Sequence, residues 1–140
     1  MRAHLTRRYM FAASHRLHAP TLSEEQNRET YGKCNHPHGH GHNYALEVTV
    51  SGAVSAETGM VCDLAELDET VHGAVLDGFD HQNLNVLTDF GELVPTTENL
   101  AVVIYNILQQ SVSPAHLERI RIEETSNNSF EYAGGEEPRH

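Results

Sequence analysis

Cys34-Asn35-His36-Pro37-His38-Gly39-His40-Gly41-His42-Asn43-Tyr44-Ala45-Leu46-Glu47-Val48-Thr49-Val50 is the stretch on which the reading of this chain turns. From residue 40 to 52 the pattern is that of a strand. His40, His42, Tyr44, Leu46, Val48 and Val50 recur at every second position and share one face, while Glu47 and Thr49 take the other. His40 and His42, separated only by a glycine, therefore stand side by side and make half of a zinc site. Cys34, six residues before His40, adds a thiol to the same neighbourhood. As a thiolate it can serve as base, nucleophile or fourth metal ligand, and the spacing leaves these open.

Zinc in a catalytic site takes three protein ligands and keeps a fourth position free. The third ligand is expected from residues 4–17, where Tyr9, Phe11, Ala13, His15 and Leu17 alternate with smaller or more polar neighbours. His15 then lies on the inward face of a neighbouring strand, where the apolar pattern alone calls for Val or Ile. His36 and His38 flank Pro37, which forces irregular backbone, and they read as loop residues near the site. Residues 18–39 as a whole read as irregular, with Pro20, Gly32, Pro37 and Gly39.

Further along, the period changes. Asp63 caps a helix over 63–77 with Leu64, Leu67, Val71 and Val75 at helical spacing. A second helix over 97–110 carries the stripe Leu100, Val103, Ile104, Ile107 and Leu108, with Thr96 or Thr97 as its cap. Residues 117–125 and 129–134 read as two closing strands. The expected fold is α+β, a four-stranded antiparallel sheet with two helices on one face, forming one domain over residues 1–140. A chain of 140 residues buries roughly 68% of its unfolded surface and needs no disulfide scaffold.

The net charge of −11 argues against a broad nucleic-acid surface. It is unevenly spread: residues 1–33 hold Arg2, Arg7, Arg8, Arg16, Arg28 and Lys33 against Glu24, Glu25 and Glu29, a net of +3, leaving −14 for the rest. An anionic small molecule should meet the basic third. No apolar run is long enough to span a membrane, no signal-peptide pattern opens the chain, and two cysteines are too few for a stapled secreted domain, so a cytoplasmic setting is expected. Cys62, in an apolar run, reads as a small core residue. Asp80-His81 pairs a carboxylate with an imidazole that it can orient. Glu124 shares a strand face with Ile120 and Ile122, where a carboxylate needs a partner; a shifted register would instead bring in Glu123.

Several of these pieces, in order, resemble the 6-pyruvoyl-tetrahydropterin synthase family, which also contains the 6-carboxy-tetrahydropterin synthases of queuosine biosynthesis. They are Phe11-Ala12-Ala13-Ser14-His15-Arg16-Leu17, the Cys34–Tyr44 stretch, Thr58-Gly59-Met60-Val61, Asp80-His81-Gln82-Asn83-Leu84, Thr96-Thr97-Glu98-Asn99 and Glu124-Thr125. The resemblance implies a Zn²⁺ held by His15, His40 and His42, Cys34 as the proton-abstracting thiolate, and Asp80 and His81 as a relay supplied by a neighbouring subunit. It implies that Glu124 anchors the pterin ring and that Thr96 and Thr97 line its pocket. The implied architecture is the tunnelling fold, in which sheets from several subunits close a barrel, as a trimer or a homohexamer built from two trimers. The implied reaction converts the small-molecule substrate 7,8-dihydroneopterin triphosphate to 6-pyruvoyl-tetrahydropterin with loss of triphosphate, a step in tetrahydrobiopterin biosynthesis. The five residues between Cys34 and His40, Asn43-Tyr44 and Thr-Thr-Glu-Asn match that branch. His36 and His38, where asparagine is usual, and Phe79, where leucine is usual, depart from it. Formation of 6-carboxy-tetrahydropterin is the alternative, and a non-catalytic metal-binding module is the alternative of another class.

Overall fold

In the computed structural model, which describes residues 1–135, two long strands carry the molecule. β1 (Arg2–His15) and β2 (His40–Ala53) pair antiparallel over their whole length, with Arg2 opposite Ala53 and His15 opposite His40. The expected faces are present. Tyr44, Leu46, Val48 and Val50 are fully buried, with Tyr44 opposite Phe11 and Leu46 opposite Tyr9 across the pair, and the rings of Phe11 and Tyr44 stack with centroids 5.1 Å apart. β4 (His116–Thr125) continues the sheet on the far side of β2 and β5 (Asn128–Tyr132) closes that edge.

The sheet departs from expectation in having five strands, in the order β3-β1-β2-β4-β5, and in being mixed. β3 (Gln82–Asn83) runs parallel to Ala13 and Ser14 at the end of β1. Two residues have no period to display, so β3 is not legible as alternation. It matters for function because it ties Asp80-His81 to the end of the strand that carries His15.

Three helices pack on this frame, not two. α1 (Glu24–Tyr31) lies within the stretch expected to be irregular. Its sequence is almost wholly polar and only Asn27 is buried, so it has no apolar stripe to betray it. A start signal is present all the same. Ser23 accepts the Gln26 N–H, and the Gln26 side chain accepts the Ser23 N–H, a reciprocal capping box. α2 (Leu64–Val71) is capped by Asp63, which accepts from the N–H groups of Ala65 and Glu66, and runs on through a widened π-type turn (His72–Leu76) to Asp77–Phe79. α3 (Thr97–Ser111) is capped by Thr96 and buries Leu100, Ile104 and Leu108 completely. Its Tyr105 meets Tyr132 of β5 edge to face, centroids 5.1 Å apart. The other face of the sheet is charged and matched: Glu47 receives Arg8 at 2.9 Å and Arg121 at 3.0 Å, with Glu123 beside them.

One polar clamp joins β1 to α2. Asp68 accepts both Nε (3.0 Å) and a terminal nitrogen (2.9 Å) of Arg7, and the Tyr9 hydroxyl (2.7 Å). The Arg7 guanidinium, and then the Tyr9 hydroxyl, hold the Asp68 carboxyl down at about 2. A carboxylate whose pKa is depressed on folding stabilises the native state above its unfolded value and loses that contribution as pH falls through the native one. Thermal melts of the wild type and of Asp68→Asn are therefore expected to differ at pH 6. The gap should close between about pH 4 and pH 2, a window set by the ordinary carboxyl range and the depressed value; a gap that is constant with pH would mean that the clamp stabilises nothing through its charge.

Candidate metal centre and active site

The site forms where the inward faces of β1 and β2 run out of hydrocarbon. After Tyr9, Phe11 and Ala13, the next inward position on β1 is His15, which is 1% exposed. On β2 the row from Val50 back to Tyr44 continues as His42 and then His40. His15 stands directly opposite His40, and His42 opposite Ala13. The ring centroids of His15 and His42 are 4.8 Å apart, and those of His42 and His40 5.0 Å apart. Three imidazoles thus cluster at one end of the sheet, as the alternation predicts.

Cys34 reaches this cluster from the turn Gly32–Asn35 that follows α1. The turn is sewn to the segment leaving β1. Leu17 N–H donates to the Cys34 carbonyl (2.7 Å), the Asn35 side-chain amide donates to the Leu17 carbonyl (2.7 Å), and Arg16 Nε donates to the Asn35 carbonyl (3.0 Å). Gly39, at φ +83°, lies so close that a Cβ there would be 3.2 Å from the His15 carbonyl oxygen, so a side chain would be strained by its backbone conformation and would need the neighbouring main chain to give by a few tenths of an ångström. As a result, one donor atom each from His15, Cys34 and His42 lie within 4.8 Å of one another. His40, exposed and one step further along β2, is not a member of that tight group although its ring borders it.

The hydrogen bonding of these rings is incomplete in a particular way. His15 Nδ1 donates to the Pro95 carbonyl at 2.9 Å, which fixes the proton on Nδ1 and leaves a lone pair on Nε2. That Nε2 is buried and has no hydrogen-bond partner, and the same is true of His42 Nε2. The nearest carboxylate oxygen to His42 Nε2, Glu124 Oε1, is 3.3 Å away but is not hydrogen-bonded to it. Burial pushes the pKa of both imidazoles down and so favours their neutral, ligating forms; for His42 the Glu124 charge opposes this, and His40 adds to it. Burial, with the Glu124 charge, pushes the Cys34 thiol up. An unpartnered buried nitrogen costs about 1–3 kcal/mol. Two of them in a group where one donor atom each from His15, Cys34 and His42 lie within 4.8 Å of one another, with a third imidazole adjoining, match the donor set that zinc prefers.

Glu124 closes the pocket from β4. The β4–β5 register shifts between Glu123 and Thr125, a bulge at Glu124, and such irregularities re-aim a side chain. Glu124 faces inward, with Oε2 accepting the Thr97 hydroxyl, while Glu123 faces the charged outer side. Thr97 is buried at the start of α3; the Thr96 hydroxyl is engaged as the helix cap, accepting the Asn99 N–H at 3.1 Å. Asp80 Oδ1 accepts the Ala12 N–H (2.8 Å), and Oδ2 lies 3.1 Å from His81 Nδ1. His81 has φ +60°, rare for a residue with a side chain, and its ring is 81% exposed. Sequence reasoning missed Pro95, whose carbonyl sets the His15 tautomer, because a backbone acceptor leaves no trace in residue type.

One buried and one half-buried imidazole, each with a buried, unpartnered Nε2, set beside a thiol and an inward carboxylate on an α+β sheet, define a candidate metal-dependent catalytic centre. The family model described as 6-pyruvoyl tetrahydropterin synthase matches residues 4–135. The 6-pyruvoyl tetrahydrobiopterin synthase of Drosophila melanogaster is 46% identical over 134 residues, covering 94% of this chain and 80% of the relative. That of Homo sapiens is 44% identical over 133 residues, covering 94% and 92%. The structure of Caenorhabditis elegans 6-pyruvoyl tetrahydropterin synthase superposes with a TM-score of 0.90 at 40% identity, over 96% of this chain and 97% of that one. The chain belongs to the 6-pyruvoyl tetrahydropterin synthase family.

Proposed function

We propose that this protein is a zinc-dependent lyase that converts 7,8-dihydroneopterin triphosphate to 6-pyruvoyl-tetrahydropterin and releases triphosphate. The observation that carries this reading is the pair of buried, unpartnered Nε2 atoms of His15 and His42 beside Cys34 and Glu124, in a chain whose relatives bear that enzyme's name over nearly its full length. His15, His42 and the adjoining His40 would hold Zn²⁺. When bound, the ion supplies Lewis acidity to the hydroxyls of the substrate side chain, which acidifies the neighbouring C–H bonds.

The chain's own residues do the rest. Glu124, steadied by Thr97, offers a carboxylate to the N–H and amino edge of the pterin and so fixes the ring's orientation. Cys34 Sγ, as thiolate, takes a proton from the side-chain carbon. Asp80 holds His81 by its Nδ1, leaving Nε2 to carry a second proton. Because the His81 ring is almost bare in one protomer, it is read as serving the site of a neighbouring subunit in a trimer or a dimer of trimers. The electron pair released at the side-chain carbon next to the ring reduces the N5=C6 bond of the dihydropterin to the tetrahydro level as that carbon becomes a ketone. The pair released at the second carbon expels triphosphate to leave an enol that ketonises, so the ring and the leaving group accept the electrons and no external redox cofactor is required. Among the described residues no helix is long and apolar enough to cross a membrane.

Incubation with 7,8-dihydroneopterin triphosphate, followed by chromatography of the pterins, tests the assignment. The expected products are 6-pyruvoyl-tetrahydropterin and triphosphate, with turnover abolished by a zinc chelator and restored by zinc. Accumulation of only 6-carboxy-tetrahydropterin would move the protein to the other branch of the family. Zinc binding with no pterin conversion would reduce it to a metal-binding module.

A further inference from the structure

Nine lysines and arginines face twenty acidic residues in this chain. Arg7 pairs with Asp68, Arg8 and Arg121 with Glu47, and Arg119 with Glu131. Arg2 hydrogen-bonds to Ser51, which itself donates to Glu118. Among the described residues, Arg16, Arg28 and Lys33 make no ion pair, and all three line one cavity of about 560 Å³. They arrive from three different places: the segment after β1, the last turn of α1, and the turn that carries Cys34. Among the described residues Glu24 is the one carboxylate in the lining.

The cavity is built rather than incidental. The Arg16 backbone is gripped on both sides by the Asn85 side chain, its N–H donating to Oδ1 at 2.6 Å and its carbonyl accepting Nδ2 at 2.8 Å. Its Nε is fixed on the Asn35 carbonyl at 3.0 Å, and among the described residues the two terminal guanidinium nitrogens have no acceptor. His40 lines the same cavity, and its ring is 5.0 Å from His42, so the cavity adjoins the candidate metal centre. Three like charges around one space raise one another's energy, and a ligand carrying several negative charges reverses that cost. A chain of phosphates carries enough negative charge to engage all three.

We propose that this cavity seats a condensed phosphate chain, held by Arg16, Arg28 and Lys33, with Arg28 of α1 as a positioning residue. The inference rests on the reading under Proposed function in one respect: the chain bound during turnover is the triphosphate of the substrate. After elimination the free triphosphate occupies the same place, and it therefore competes with the next substrate molecule.

Titration of inorganic tripolyphosphate into the full chain, followed by calorimetry, tests this directly. Arg28→Gln and Lys33→Gln should each weaken binding by about tenfold, as expected for losing one hydrogen-bonded charge partner. Arg119→Gln, which lies outside the cavity, should bind like the wild type, and added salt should weaken binding in all of them. In turnover assays, Arg28→Gln should raise KM with kcat unchanged, and tripolyphosphate should inhibit competitively. The proposal is overturned if the folded wild type does not bind tripolyphosphate, or if Arg28→Gln and Arg119→Gln bind it equally. Tripolyphosphate binding that depends on Arg28, in a protein that converts no pterin, would overturn the assigned reaction and leave the phosphate seat standing.

Discussion

Cys34→Ala is expected to lower turnover of 7,8-dihydroneopterin triphosphate by about 10²–10⁴-fold, the usual contribution of a positioned proton acceptor, while fold and zinc content stay at the wild-type level. The turn that presents Cys34 is held by main-chain and amide contacts: the Cys34 carbonyl to Leu17, the Asn35 amide to Leu17, and the Asn35 carbonyl to Arg16. None of these uses the thiol, so the truncation removes one half-buried sulfur and little else. On the proposed ligand set, His15, His40 and His42 would remain to hold the metal. The position of Cys34 makes the experiment decisive, because its donor atom lies within 4.8 Å of those of His15 and His42. If zinc content, measured by elemental analysis, falls in step with activity, the thiol is a ligand and the site is closed. If zinc stays and turnover disappears, the thiol moves protons. Wild-type turnover in Cys34→Ala would remove it from the chemistry altogether.

The centre was legible in the sequence wherever it is written as alternation. Period two on β1 and β2 brings His15 and His42 together at the end of the core face, with His40 exposed one step beyond them, and the register that sets His15 opposite His40 follows from pairing two long strands. The same period separates Glu124 from Glu123, and the structure resolves that choice in favour of Glu124 as the inward carboxylate. What escaped has no period. α1 carries no apolar stripe because it borders a charged cavity instead of the core; only its capping box announces it. β3 is too short to alternate, yet it turns an expected antiparallel sheet into a mixed one and holds Asp80-His81 beside the end of β1. The separation of Cys34 from His15 is nineteen positions in the chain and a few ångströms in space. That closeness depends on the hydrogen bonds of Asn35 and Leu17, which residue types alone do not specify.

His42→Ala is expected to abolish both zinc binding and turnover, and its stability should change in a way that only a metal explains. In the metal-free protein, His15 and His42 each bury an Nε2 without a partner. Each such atom costs about 1–3 kcal/mol, and removing the His42 ring takes one of them away along with the packing of the ring against Tyr44, whose centroid is 5.6 Å distant. In the presence of a chelator these two changes oppose each other, so the melting temperatures of the variant and the wild type should lie close together. Zinc at a thousand times its dissociation constant stabilises the protein that binds it by about 4 kcal/mol, a rise on the order of 10 °C for a chain of this size. The wild type should show that rise and His42→Ala should not, so the gap between them opens only when zinc is added. His40→Ala separates the remaining assignments. As a ligand, His40 gives a variant that loses the zinc-dependent rise as His42→Ala does; as a bystander, it gives one that keeps it, and His15, Cys34 and His42 would then be the metal's own set. A His42→Ala protein that still gained the full rise would place the cation somewhere other than the end of this sheet.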